Sequence, residues 1–266
     1  MTINNTPPRG SAPQSKEETA SSLLRINKAI AQAGICSRRR ADEFIAKGKV
    51  RVNNLPVSSP GMKVDPLHDV IEVDGKKIAP GGTEQQHLYL LLNKPVRTVT
   101  TLSDPQGRKT VLDLFPEAIK KRRIFPIGRL DYCSEGLLLM TTDGDLTQKM
   151  THPSFNHPKE YEVHVSGTVT ADTVKTMSSG MVLAEGDRLR SVNVDIISRM
   201  GKTTILRMIL RQGVNRQIRR MCRDFGLKVL KLKRIRQGTI TLGTLAPGTF
   251  RELTSQEITD LKKSIH

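Results

Sequence analysis

Aromatic residues are scarce: they make up 3% of the chain, and tryptophan is missing altogether. That argues against an aromatic platform for stacking single-stranded bases. Any affinity for a polyanion then has to come from lysine and arginine. Cysteine is almost as rare, with Cys36, Cys133 and Cys222 far apart and no CxxC pair. This argues against a disulfide framework or zinc ribbon and fits a reducing cytoplasm, where we expect the chain to work. No apolar run approaches the ~18–20 residues of a membrane span. The N-terminus is polar and Pro/Ser-rich, without a signal-peptide pattern. There is no P-loop, and no GxGxxG follows a strand, so no cradle for a nucleotide cofactor is visible.

What is abundant is positive charge. Lysine and arginine number 43 against 26 acidic residues, a net charge of +17 over 266 residues. Such a balance favours nucleic acid as partner. A membrane surface is the competing reading, but no basic amphipathic helix with large apolar anchors supports it. The length suits one large domain, or a medium one with a small companion.

The expected organisation has five parts. Residues 1–22 read as a disordered tail, 23–80 as a small basic module, 81–86 as a Pro/Gly-rich linker, 87–257 as the larger domain and 258–266 as a C-terminal tail. In the small module a helix over 23–33 stops at Gly34. Ser37 caps a second helix from Arg38 to Lys47, and short strands follow. Arg25, Lys28, Arg38, Arg39, Arg40, Lys49 and Arg51 are among its eight basic residues, against two acidic ones, between positions 25 and 51. Three arginines at a helix N-terminus oppose its dipole, a cost that a bound anion would offset. The run from Leu24 to Asp42, with Gly48 to Asn53, resembles the S4 RNA-binding module. That resemblance implies RNA binding through the basic helix face.

In the larger domain, apolar or alternating runs at 88–94, 137–140, 159–165, 192–196, 203–210, 228–235 and 239–242 read as strands. They outnumber the helices and do not alternate regularly with them. The expected class is α+β, with an antiparallel or mixed sheet. A second basic cluster, ten basic residues and one acidic, lies between Arg211 and Arg236.

Candidate chemistries are few. His152 and His157 have neither a cysteine nor a third histidine beside them, so no metal site is expected. Cys133 has no obvious base near it in sequence. Asp143 and Asp145 flank a glycine and read as turn formers, although two carboxylates could also bind a cation. Asp131 remains, in a loop between Gly128 and the buried run Leu137–Met140. A core strand fixes such a loop, whether for chemistry or for a structural ion pair.

The segment GRLDYCSEGLLL, 128–139, is similar to the signature of RsuA-type pseudouridine synthases. LNKP at 92–95, KEYEV at 159–163 and GVNRQIRRM at 213–221 agree, in the family's order. Ser134 stands where threonine is common, and Val214 where a basic residue is common. The resemblance implies cofactor-free isomerisation of a uridine in ribosomal RNA to pseudouridine, with Asp131 acting at C1′ of the sugar or C6 of the ring. It implies catalytic roles for Asp131, Tyr161 and Arg219, with Arg219 set against Asp131. Arg129, Ile218, Asn215, Arg216 and Lys94 would bind substrate. Arg123–Gly128 and His152–Ser154 look closer to the large-subunit enzymes, so the expected partner is large-subunit RNA or its assembly intermediate, met by a monomer. A small-subunit target, or a non-catalytic RNA-binding or ribosome-assembly factor, are the alternatives. The latter would have no need of Asp131, Tyr161 and Arg219 together.

Overall fold

The computed structural model describes residues 23–78 and 86–265, which fall into two compact units divided at residues 85 and 86. The expected disordered tail and most of the expected linker lie outside the described residues.

In the N-terminal unit, β1 (Leu24–Arg25) leads into α1 (Ile26–Gln32) and α2 (Arg38–Ala46). β2 (Val50–Val52), β3 (Leu55–Pro56), β4 (Lys63–Val64), β5 (Ile71–Val73) and β6 (Lys76–Ile78) follow. Leu24 and Arg25 belong to a strand paired with β4, not to the first helix as the sequence suggests. Gly34 takes φ +75° and ends α1, and the Ser37 side chain accepts from Arg40 N at 3.2 Å to cap α2. β2, β3, β5 and β6 form an antiparallel sheet. Asn53 and Asn54, and Asp74 and Gly75, all have positive φ, as tight hairpin turns require. Ile26, Ile30, Ala41, Ile45, Val50 and Val73 close the core between helices and sheet.

The second unit contains β7 (Tyr89–Lys94), α3 (Glu117–Lys120), β8 (Phe125–Pro126), β9 (Glu135–Thr141), α4 (Gly144–Thr151), β10 (Lys159–Ser166) and α5 (Ala171–Ser179). It continues with β11 (Asn193–Met200), β12 (Thr203–Leu210), α6 (Gln217–Asp224), β13 (Lys228–Gln237), β14 (Ile240–Thr241), β15 (Phe250–Glu252) and α7 (Ser255–Lys263). One nine-stranded sheet runs in the order β11-β12-β10-β13-β9-β7-β15, with β14 on β13 and β8 on β9. β13 and β9 run parallel and the other pairs antiparallel, so the sheet is mixed and the class is α+β. β9 is buried from Gly136 onward. Leu137 and Leu139 face one core cluster, Leu138 and Met140 another. Burial on both faces explains a continuous apolar run in place of alternation.

The expected C-terminal tail at 258–266 is corrected by α7. Thr254 and Glu257 form a capping box, and Leu261 (0% exposed) and Ile265 (5%) pack on Tyr89, Leu139 and Met150. The apolar spacing Ile258, Leu261, Ile265 closes the core there, so this segment is part of the domain.

Candidate active site

β9 positions the site because the loop at its N-terminal end, residues 128–134, is held residue by residue. Five consecutive carbonyls each accept a hydrogen bond. Leu130 O takes Thr100 Oγ1 at 2.7 Å and Asp131 O takes Ser134 N at 3.0 Å. Tyr132 O takes Arg97 N at 2.7 Å and Cys133 O takes Arg219 Nη2 at 2.7 Å. Ser134 O takes Lys94 Nζ at 2.8 Å. Leu130 is buried among Val111, Phe115 and Leu138. A loop with five consecutive carbonyls engaged has few alternative conformations. The Asp131 carboxylate therefore leaves the chain from a fixed point.

Gly136, just inside β9, has φ +103°, and a Cβ there would sit 2.3 Å from Arg234 O. The parallel β9–β13 crossing needs glycine at that position.

Asp131 faces a cleft of about 410 Å³, within the usual range for a small-ligand site. Arg129, Tyr161, Asn215, Arg216 and Ile218 line it too, so the structure brings six of the eight expected catalytic and substrate-binding residues to one place. Tyr161 comes from β10 and Arg129 from the loop. Ile218, 4% exposed, presents the apolar edge of α6. Arg216 precedes α6 in the left-handed region (φ 49°, ψ 32°), a conformation that costs about 1–3 kcal/mol for a non-glycine residue. It points its guanidinium at Asp131, Nη1 to Oδ2 at 3.6 Å. That is an ion pair without hydrogen-bond distance, and both partners are part-exposed. Such a pair is worth about 0–1 kcal/mol, so the carboxylate stays available.

Two expected residues sit elsewhere. Arg219, placed against Asp131 by the resemblance, donates instead to Cys133 O and, at 3.3 Å, to Ser134 Oγ. It grips the loop from behind while Arg216 takes the ion pair. Lys94, expected to bind substrate, is corrected. It is 0% exposed, and its Nζ is spent on Pro95 O and Ser134 O at 2.8 Å each. Burial lowers its pKa to about 8, against the pull of Asp131, Cys133 and Glu135 in the other direction.

Other residues line the cleft that the sequence does not single out. Lys159, Arg234 and Gln237 form its floor, and Gln217 opens α6 beside Ile218. Lys159 has a lowered pKa, chiefly from burial and then from the charge of Arg234. Arg234 is 1% exposed. The sequence does hold a signal for it: Leu232 and Arg234 share the inward phase of β13, so a charge sits where an apolar residue belongs. Asp143 is the N-cap of α4, accepting from Asp145 N and Leu146 N, and it also accepts from Tyr89 Oη at 2.8 Å. Among the described residues no group of three histidine, cysteine or acidic side chains could hold a metal ion. His152 bonds Ser154 Oγ at 2.7 Å, whereas His157 is buried with Nε2 unpartnered, and burial lowers its pKa.

The mixed sheet thus holds a carboxylate on a clamped loop, with a tyrosine and arginines around one cleft. Two sequence families match: RNA pseudouridylate synthase over residues 88–224 and the S4 domain over 24–71. The chain belongs to the RNA pseudouridylate synthase family and is a pseudouridine synthase with an S4 domain in front. It is 42% identical over 243 residues to an RNA pseudouridine synthase of Aquifex aeolicus (strain VF5), covering 91% of this chain and 95% of that one. It is 38% identical to ribosomal large subunit pseudouridine synthase B of Bacillus subtilis (strain 168), covering 90% and 96%. To dual-specificity RNA pseudouridine synthase RluF of Escherichia coli (strain K12) it is 39% identical, covering 92% and 80%. A crystal structure of a pseudouridylate synthase superposes with a TM-score of 0.65 at 25% identity, covering 90% and 99%.

Proposed function

We propose that this enzyme converts a uridine of large-subunit ribosomal RNA to pseudouridine in the cytoplasm, as a monomer and without a cofactor, with Asp131 as the essential carboxylate. The observation that carries this is Asp131 on a loop with every carbonyl from 130 to 134 engaged, facing a cleft shared with Tyr161 and Ile218. Tyr161 and Ile218 hold the ring, and Tyr161 is the candidate acceptor of the C5 proton. Arg216 faces Asp131 across 3.6 Å, and Arg219 acts through the loop. The base has to leave its stack to reach the cleft, and Arg129, exposed beside it, is suited to the space left behind. Asn215 adds a polar contact at the rim. In the S4 unit, the exposed Arg25, Arg38, Arg39, Arg40, Lys49 and Arg51, with Lys28, hold RNA phosphates. Lys49 Nζ already lies 2.8 Å from Asp74 Oδ1, and Arg40 is paired with Glu43, so both contribute less than Arg38 and Arg39, which are unpaired among the described residues.

The large-subunit target is favoured by the similarity to the ribosomal large subunit pseudouridine synthase B of Bacillus subtilis, while the Escherichia coli relative is a dual-specificity enzyme. Mapping pseudouridines in all RNA of a strain lacking this protein tests the target. One missing site in large-subunit RNA is the expected result. A site lost only from small-subunit or other RNA would move the target, and no lost site would favour a non-catalytic RNA-binding factor. Light scattering on the purified chain tests the monomer, with twice the chain's mass as the contrary result.

A further inference from the structure

Among the described residues Arg234 has no counter-ion. It lies at the centre of the sheet, paired in register with Tyr161 on one side and Gly136 on the other. Its Nε donates to Leu137 O at 2.7 Å, but Nη2, fully enclosed, has no partner. Carboxylates on the flanking strands and the loop are engaged elsewhere: Glu135 with Lys231 at 3.5 Å, Glu160 with Arg236 at 2.8 Å and Asp131 with Arg216 at 3.6 Å. Its neighbours in the cleft floor are Lys159, a second cation, and Gln237, whose Oε1 is also unpartnered. Leaving a guanidinium N–H buried and unpaired is costly, and an arrangement that keeps one needs a reason. A purely structural arginine at the β9–β13 crossing would need only its Nε bond.

We propose that Arg234, which lines the cleft, contacts the substrate, its guanidinium donating to a carbonyl oxygen of the target uracil and stabilising the negative charge that the ring acquires. This rests on the pseudouridine reading above. The charge arises on either route open to Asp131. If the N1–C1′ bond breaks first, its electron pair stays with the base and spreads over N1, O2 and O4. If the carboxylate adds to C6 first, the displaced ring pair moves toward C5 and O4. In both cases the pair returns as the new C5–C1′ bond, the proton on C5 is lost and N1 gains one, so the sum is an isomerisation with no oxidant or reductant. A fixed donor aimed at a developing oxyanion in a water-poor site is an effective way to lower such a barrier.

Single-turnover pseudouridine formation on ribosomal RNA from a strain lacking the protein tests this, with wild type, Arg234→Lys and Arg234→Gln. RNA affinity and melting temperature are measured alongside. We expect Arg234→Gln to slow the chemical step by on the order of 10²-fold with RNA affinity unchanged. Arg234→Lys, which keeps the charge, should recover part of that loss. A folded Arg234→Gln protein with an unchanged rate, or with weakened RNA affinity alone, would overturn the assignment. If wild type forms no pseudouridine, the functional reading fails, and titration with uridine 5′-monophosphate decides the contact. The Arg234 guanidinium NMR signal, identified by its absence in Arg234→Lys, should move. A signal that stays in place overturns the contact independently of turnover.

Discussion

Helices α2 and α6 both carry adjacent arginines in their N-terminal halves, yet the two sets do different work. In α2, Arg38 and Arg39 are exposed and have no ion pair among the described residues, and Arg40 is tied only to Glu43 and the Phe44 ring. In α6, each arginine is committed. Arg219 holds the Asp131 loop, Arg220 bonds Glu185 and Asp187 at 2.9 and 2.5 Å, and Arg223 bonds Glu185 and Asp224 at 2.6 and 2.7 Å. The same local composition therefore marks a solvated cationic face in one unit and a set of internal clamps in the other. Charge content alone does not separate them; Glu185 and Asp187, which come to meet α6, lie more than thirty positions away in sequence.

That contrast can be broken by substitution. The largest effect is expected in α2. Replacing Arg38, Arg39 and Arg40 together by alanine should weaken RNA binding severalfold to a thousandfold. It should also reduce the slope of log affinity against log salt by roughly 0.9 for each phosphate that is no longer neutralised. A salt titration of binding checks this, and an unchanged slope would refute the phosphate role. Arg219→Ala should act on stability and rate instead. It strands the buried Ser134 hydroxyl and Cys133 O, costs about 1–3 kcal/mol in denaturant unfolding and leaves the salt slope of RNA binding in place.

Lys94 provides a pH signature. Its pKa in the folded chain is about 8, below the ordinary lysine value, so between pH 8 and the unfolded value the unfolded chain binds more protons. Stability from this group should rise with pH across that window, and Lys94→Met should abolish the rise while leaving Pro95 O and Ser134 O unpartnered. Unfolding at a series of pH values checks both. The smallest effect belongs to the α6 rim. Arg220 and Arg223 hold the Glu185 pKa down to about 2, so this cluster stabilises above the ordinary glutamate range and loses that contribution as pH falls towards 2. Glu185→Gln should remove that acid-limb dependence without touching RNA affinity.

Much of the fold is legible in the sequence. β9 and β10 announce themselves by a continuous apolar run and by alternation, and α2 by Ser37 in front and Gly48 behind. Asp131, Tyr161 and Ile218 fall into one site by family resemblance, not by spacing. What escapes is set by tertiary structure. Arg216 and Arg219 are three apart, a helical neighbour spacing, but Arg216 turns left-handed before α6 begins, so the two guanidinia diverge and the ion pair goes to the nearer one. Lys94 is expected to bind substrate because nothing in LNKP says that two carbonyls will enclose it. α7 escapes although Thr254 and Glu257 spell a capping box, because its surface is mostly polar and only Leu261 is fully covered.

The central claim is that the carboxylate on the clamped loop carries out the reaction while the basic surfaces only hold RNA. The most direct test is to restore a strain lacking the protein with either the wild-type chain or Asp131→Asn and to map pseudouridine in its ribosomal RNA. Purified Asp131→Asn is assayed for RNA binding in parallel. The variant is expected to bind RNA as the wild type does and to restore no pseudouridine, a loss on the order of 10³-fold or more. Pseudouridine restored by Asp131→Asn at the wild-type site would contradict it.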